Sequence, residues 1–185
     1  MAKRKKLSDT GVTRDGDDDV ASMIRVNQAG EYGAKRIYAG QLAVMGDRTE
    51  ASRSISHMAE QEERHLTAFN TMIAERGVRP TVLQPVWNVA GFALGAVTAA
   101  LGPKAAMACT VAVETEIDKH YSDQLEKLGN SDPELSDRIA EFQIEEQEHK
   151  ETALAEGAEG APGYPLLSAA IRLGCRAAIS LSKRI

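Results

Sequence analysis

Cysteine is nearly absent from this 185-residue chain: Cys109 and Cys175 stand far apart and form no Cys-x-x-Cys pair. Neither a disulfide framework nor a thiolate zinc site is indicated, and a reducing compartment is expected. Aromatic residues make up only 4% of the chain while alanine is plentiful, which favours close-packed helices over β-sheets. A basic excess is also lacking, since 22 lysines and arginines face 27 aspartates and glutamates, for a formal net charge of -5. That balance argues against nucleic acid as a partner. No apolar stretch follows the basic cluster Lys3-Arg4-Lys5-Lys6, so no secretory signal peptide is expected and the chemistry should be intracellular. No Gly-x-Gly-x-x-Gly fingerprint of a dinucleotide site occurs either.

What is present points to one all-α domain. The length suits a single core. Residues 1–20 run from the basic cluster into Asp17-Asp18-Asp19 with little to bury, and are expected to form a flexible charged tail. Residues 21–185 form the domain. Helical periodicity predicts helices over Ala21–Met45, Arg48–Glu75, Ala105–Leu128 and Pro133–Ala155. Turn formers separate them at Gly46-Asp47, Gly77 to Pro80 and Gly129 to Pro133. Short links join the first to the second helix and the third to the fourth, as antiparallel neighbours in a four-helix bundle require.

The two halves repeat each other. Gly30 to Leu42 (GEYGAKRIYAGQL) lies on Val113 to Leu125 (VETEIDKHYSDQL) without a gap, matching Glu31 with Glu114, Tyr38 with Tyr121 and Gln41 with Gln124. Each first glutamate is followed, 31 or 32 positions later on the next helix, by Glu-x-x-His: Glu62 with His65, and Glu146 with His149. An i, i+3 pair shares one helix face, so carboxylate and imidazole can reach one ion. One such pair means little in an acidic chain. Two, each with a glutamate at a matching distance, give four carboxylates and two imidazoles, the ligand inventory of ferritin-like di-iron and di-manganese bundles.

Charge explains why the set belongs together. Four buried carboxylates repel one another and lose hydration unless cations neutralise them. Oxygen-rich ligands with two imidazoles suit iron or manganese. Two iron ions per chain are expected, with Glu62 and Glu146 bridging and Glu31 and Glu114 terminal. His57 and His120 fall outside the set. His120, Tyr121 and Tyr38 are candidates for hydrogen bonding around the ligands or for electron transfer, beside a purely structural role.

Thr81 to Pro103 contains 23 residues and no charge, enough for a helix of roughly 34 Å, about membrane thickness. A single crossing there would put Glu62 and His65 on one side of a bilayer and Glu114 and His149 on the other. An interfacial or re-entrant helix over Val86–Leu101 is therefore expected, with a buried core helix as the alternative. Leu166–Ile185 reads as a C-terminal amphipathic helix, with Leu167, Ile171, Ala178 and Leu181 on one side and Arg172, Arg176 and Lys183 on another. Such a helix suits an anionic membrane surface, with a plain amphipathic helix packing on the bundle as the alternative.

The stretches NQAGEYGAKRIYAGQL, EQEERHL, MACTVAVETEIDKHY, EEQEHKETAL and GCRAAISLSKRI resemble the demethoxyubiquinone hydroxylase family of ubiquinone biosynthesis. All six ligand positions of that family are matched by Glu31, Glu62, His65, Glu114, Glu146 and His149. The resemblance implies a di-iron monooxygenase that uses O2 to hydroxylate the ring of a polyprenylated demethoxyubiquinol, with NADH as reductant, as a homo-oligomer or in a biosynthetic complex. It gives the membrane reading a reason, because a polyprenyl tail keeps the substrate in the bilayer. The acid-rich start does not resemble a mitochondrial presequence, so the expected location is peripheral, on the cytoplasmic face of a bacterial inner membrane. A ferritin-like ferroxidase or a di-iron quinol oxidase would use similar ligands.

Overall fold

The computed structural model describes residues 14–47 and 49–185. Six α-helices follow one another: α1 (Arg14–Met45), α2 (Glu50–Arg76), α3 (Gln84–Ala100), α4 (Pro103–Leu128), α5 (Pro133–Ala155) and α6 (Tyr164–Ser182), with a 3-10 turn at Ala158–Gly160 before the last. No strand occurs among the described residues. The pairs α1/α2 and α4/α5 form two antiparallel hairpins that face each other as a four-helix bundle, while α3 packs along α1 and α6 along α4.

Local chemistry sets the ends. Thr49 caps α2 reciprocally with Ser52, and Gly77 closes it in the left-handed conformation at φ 64°. Asp132 caps α5 by accepting from the Leu135 N–H at 3.1 Å, and Arg76 at the end of α2 pairs with the same carboxylate. That ion pair ties the two hairpins together at one end. Helix α1 begins at Arg14, seven residues before the expected start. Residues 1–13 of the expected tail lie outside the described residues.

The core divides around the polar centre of the bundle. Ile24, Phe69, Met72, Leu135, Ile139 and Phe142 fill one end; Ile55, Met58 and the run Ala105 to Ala108 fill the other. Helix α3 buries only its small residues Gly91, Gly95, Thr98 and Ala99, so it is not a core helix. Val86, Val89, Val97 and Leu101 stay exposed, as do Leu166 and Leu173 on α6. No helix of the described residues is long and apolar enough to cross a membrane.

Candidate metal centre and the adjoining cavity

Glu31 comes from α1, Glu62 and His65 from α2, Glu114 from α4, and Glu146 and His149 from α5; the structure brings all six together, each almost fully buried. They form two overlapping groups, Glu31/Glu62/His65/Glu146 and Glu62/Glu114/Glu146/His149. Within each group, one donor atom per residue lies within 4.8 Å of the others. Glu62 and Glu146 belong to both. The two oxygens of Glu146 face different imidazoles, Oε1 at 3.1 Å from His65 Nδ1 and Oε2 at 2.9 Å from His149 Nδ1. His65 Nδ1 also lies 3.3 Å from Glu31 Oε2, and His149 Nδ1 lies 3.5 Å from Glu62 Oε1.

Burial and mutual repulsion set the protonation of this cluster. Desolvation first, then the charges of Glu146, Glu31 and Glu114, push the Glu62 carboxyl well above the usual range. Glu114 is raised by burial and by Glu146. Burial alone would raise Glu146 too, but hydrogen bonds from His149 and His65 hold it low. Burial would lower His65, yet hydrogen bonds to Glu146 and Glu31 push it up to about 10. Four acidic side chains gathered with so few donors form a site short of positive charge.

The orphaned oxygens fit a pair of cations. Both oxygens of Glu62 are buried without a hydrogen-bond partner among the described residues, a costly arrangement unless an ion takes them. Two divalent cations would neutralise four carboxylates, and the imidazole and carboxylate donors suit iron or manganese. The residues therefore fit the expected group.

Four further contacts surround the cluster. Tyr38 Oη donates to Glu114 at 2.9 Å, and Tyr121 Oη donates to Glu31. The outward ring nitrogens are also taken: His65 Nε2 lies 3.0 Å from Glu145 Oε2, and His149 Nε2 lies 3.1 Å from Gln61 Oε1. Sequence reasoning missed Gln61 and Glu145, although each directly precedes its Glu-x-x-His and the repeat pairs them. His120 sits apart, with its Nε2 2.8 Å from Gln124, which exchanges two hydrogen bonds with Asn27.

Beside the cluster lies an apolar cavity of about 500 Å³ between α1, α3, α4 and α6. Val26, Ile37, Leu94, Ile117, Ile171 and Cys175 line it, and Trp87 Nε1 donates to Ser182 Oγ at its edge. Gly30 and Val113 also line it, and they directly precede Glu31 and Glu114. The two helices that carry those carboxylates thus form part of the cavity wall.

Residues 18–182 match the family described as Ubiquinone biosynthesis protein COQ7. The chain is 51% identical over 174 residues to the 3-demethoxyubiquinol 3-hydroxylase of Rhodospirillum rubrum, covering 92% of this chain and 82% of that protein. It is 52% identical over 181 residues to the mouse NADPH-dependent 3-demethoxyubiquinone 3-hydroxylase, covering 95% and 83%. A more distant relative, the 5-demethoxyubiquinone hydroxylase of Saccharomyces cerevisiae, is 39% identical over 179 residues, or 88% and 77% of the two chains.

Proposed function

The chain belongs to the ubiquinone biosynthesis protein COQ7 family, and from that premise we propose that it is a di-iron monooxygenase that hydroxylates the ring of polyprenylated 3-demethoxyubiquinol with O2. The observation that carries this reading is the pair of overlapping carboxylate–histidine groups sharing Glu62 and Glu146, set against an apolar cavity. A ferritin-like iron store would have no use for that cavity, whereas a quinol ring with an apolar tail fits its chemistry and size.

Glu62 and Glu146 would bridge two iron ions, while Glu31 with His65 and Glu114 with His149 would complete one each. Bound there, two ferrous ions supply electrons and open coordination positions for dioxygen. The protein supplies the rest. Its four carboxylates hold the site neutral, its two phenols fix the terminal carboxylates, and its bundle core keeps water from the reacting ring. Gly30 and Gly33 on α1 and Val113 and Ile117 on α4, which line the cavity beside Glu31 and Glu114, would contact that ring and bring one edge toward the two carboxylates.

The electrons would come from a nicotinamide nucleotide. NADH is what the sequence resemblance implied, whereas the name of the mouse relative specifies NADPH; the two carry the same nicotinamide. The exposed valines of α3 and leucines of α6, with the partly exposed Arg172 and Arg176, support peripheral attachment to an anionic lipid surface. The tail of the substrate would leave the cavity toward that surface. The Rhodospirillum rubrum relative is bacterial and the mouse relative is mitochondrial by name; the cytoplasmic face of a bacterial inner membrane is our proposal for this chain and rests on these exposed residues.

The test is the quinone profile of a bacterial strain lacking its own demethoxyubiquinol hydroxylase. The wild-type chain should restore ubiquinone and Glu146→Ala should leave the demethoxy precursor. A well-expressed, iron-loaded wild type that leaves the precursor untouched refutes the assignment.

A further inference from the structure

Both imidazoles of the cluster turn Nδ1 inward to carboxylates and Nε2 outward. The outward partners come from equivalent positions of the internal repeat, yet they differ in charge. His65 Nε2 meets the carboxylate of Glu145 on α5, and His149 Nε2 meets the amide of Gln61 on α2. Each residue reaches across the bundle to the imidazole of the opposite hairpin. The two are also joined, because Gln61 Nε2 donates to Glu145 Oε2 at 3.0 Å. That bond orients the amide with its carbonyl oxygen toward His149, so Nε2–H is the donor in both rings and Nδ1 is left for a ligand. Arg64 Nη2 lies 2.9 Å from Glu145 Oε2 and carries the balancing charge near the surface.

We propose that Glu145 is a positioning residue that makes the two ions of the centre inequivalent, with the ion at Glu31 and His65 held more tightly than the ion at Glu114 and His149. The proposal rests on the di-iron reading above. A carboxylate accepting from Nε2–H draws the proton away from the ring and makes Nδ1 a stronger donor, while a neutral amide does so less. Arg64 pairs with the same carboxylate and helps to hold it in place. Partners one shell out from a metal commonly govern its affinity by about 10- to 100-fold.

Inequality alone does not identify Glu145 as its source, because Phe142 stacks on His65 at 3.9 Å between ring centroids and only an edge of Tyr38 faces His149. The test therefore reads which ion responds to each substitution. The full-length protein is loaded anaerobically with ferrous iron-57, then followed by equilibrium titration and Mössbauer spectroscopy. Wild type should bind two irons per chain and show two ferrous doublets of equal area. Glu145→Gln should weaken the tighter step about tenfold and move one doublet, leaving the other in place. Gln61→Glu should move the other doublet further than the first, which it disturbs only by taking from Glu145 the hydrogen bond that Gln61 Nε2 donates. Melting followed by circular dichroism shows that both variants fold. If folded Glu145→Gln leaves both doublets and both constants unchanged, or shifts both alike, the proposal is overturned. Fewer than two irons bound by wild type overturns the di-iron reading itself, and that measurement comes first.

Discussion

The Tyr38 phenol on α1 donates to Glu114 on α4 at 2.9 Å, and its repeat counterpart Tyr121 on α4 donates to Glu31 on α1. Each hairpin thus holds the terminal carboxylate of the other. Burial, and then the charge of Glu114 for Tyr38 and of Glu31 for Tyr121, raise both phenols well above 10, which keeps them protonated as donors. Tyr38→Phe removes this bond and leaves Glu114 free to rotate. Expected losses are about 10-fold or more in iron affinity and about 1–3 kcal/mol in stability. Iron content after dialysis and the denaturation midpoint measure them, and unchanged values for both would refute a holding role.

Iron loading should release protons. In the metal-free protein His65 is raised to about 10, so at neutral pH it carries a proton that a bound cation must displace, and burial with mutual repulsion makes the Glu62 and Glu114 carboxyls hold their protons to higher pH than ordinary carboxylates do. Titration calorimetry in buffers of different ionisation enthalpy should give heats that vary with the buffer, and affinity should rise with pH. The same three shifts destabilise the metal-free fold as pH rises. A raised carboxyl loses its contribution from its unfolded value upward, and His65 from 6.5 to about 10. Buffer-independent heats would contradict the protonation scheme.

His120 has the opposite sign. Burial, then the charge of Lys183, lower it to about 4, so the unfolded chain takes up its proton first as pH falls. Stability from this residue is present above pH 6.5 and is lost as pH drops toward 4, by about 2 kcal/mol between pH 7 and pH 5. Urea midpoints at both pH values should show that loss in wild type and a smaller one in His120→Gln, whose amide reaches the place of the ring Nε2 that meets Gln124. Equal losses in the two proteins would show that His120 does not titrate this way.

The bundle helices were legible because their apolar periodicity is broken by Gly46, Gly77 and Gly129, each of which takes positive φ. The six clustered residues were legible because the repeat puts them at matched positions. The crosswise bonds of Tyr38, Tyr121, Gln61 and Glu145 were not, since they depend on how far α1 and α4, and α2 and α5, are rotated toward each other, which spacing along a helix does not encode. The cavity was hidden for the same kind of reason. The chain showed an apolar stretch but not that Gly91 and Gly95 would seat it directly on the backbone of α1, leaving its larger side chains to face the cavity or the outside.

That seating yields the last prediction. A Cβ on Gly95 would run into the carbonyl of Ile37 and approach Gln41 N, and one on Gly40 would run into the carbonyl of Phe92. These obstacles are backbone, so no side chain can swing aside and α3 must lift from α1. Gly95→Ala should cost about 1–3 kcal/mol. Because α3 supplies Trp87, Ala90 and Leu94 to the cavity wall, KM for the quinol should also rise, while iron content, set by α1, α2, α4 and α5, should stay at the wild-type level. Gly174→Ala provides the contrast, since its added Cβ meets nothing within 4 Å and replacing a helical glycine by alanine gains up to about 1 kcal/mol. A Gly95→Ala protein that melts with wild type would mean that α3 does not depend on this close crossing; a loss of iron along with stability would mean that the crossing supports the metal centre as well as the cavity.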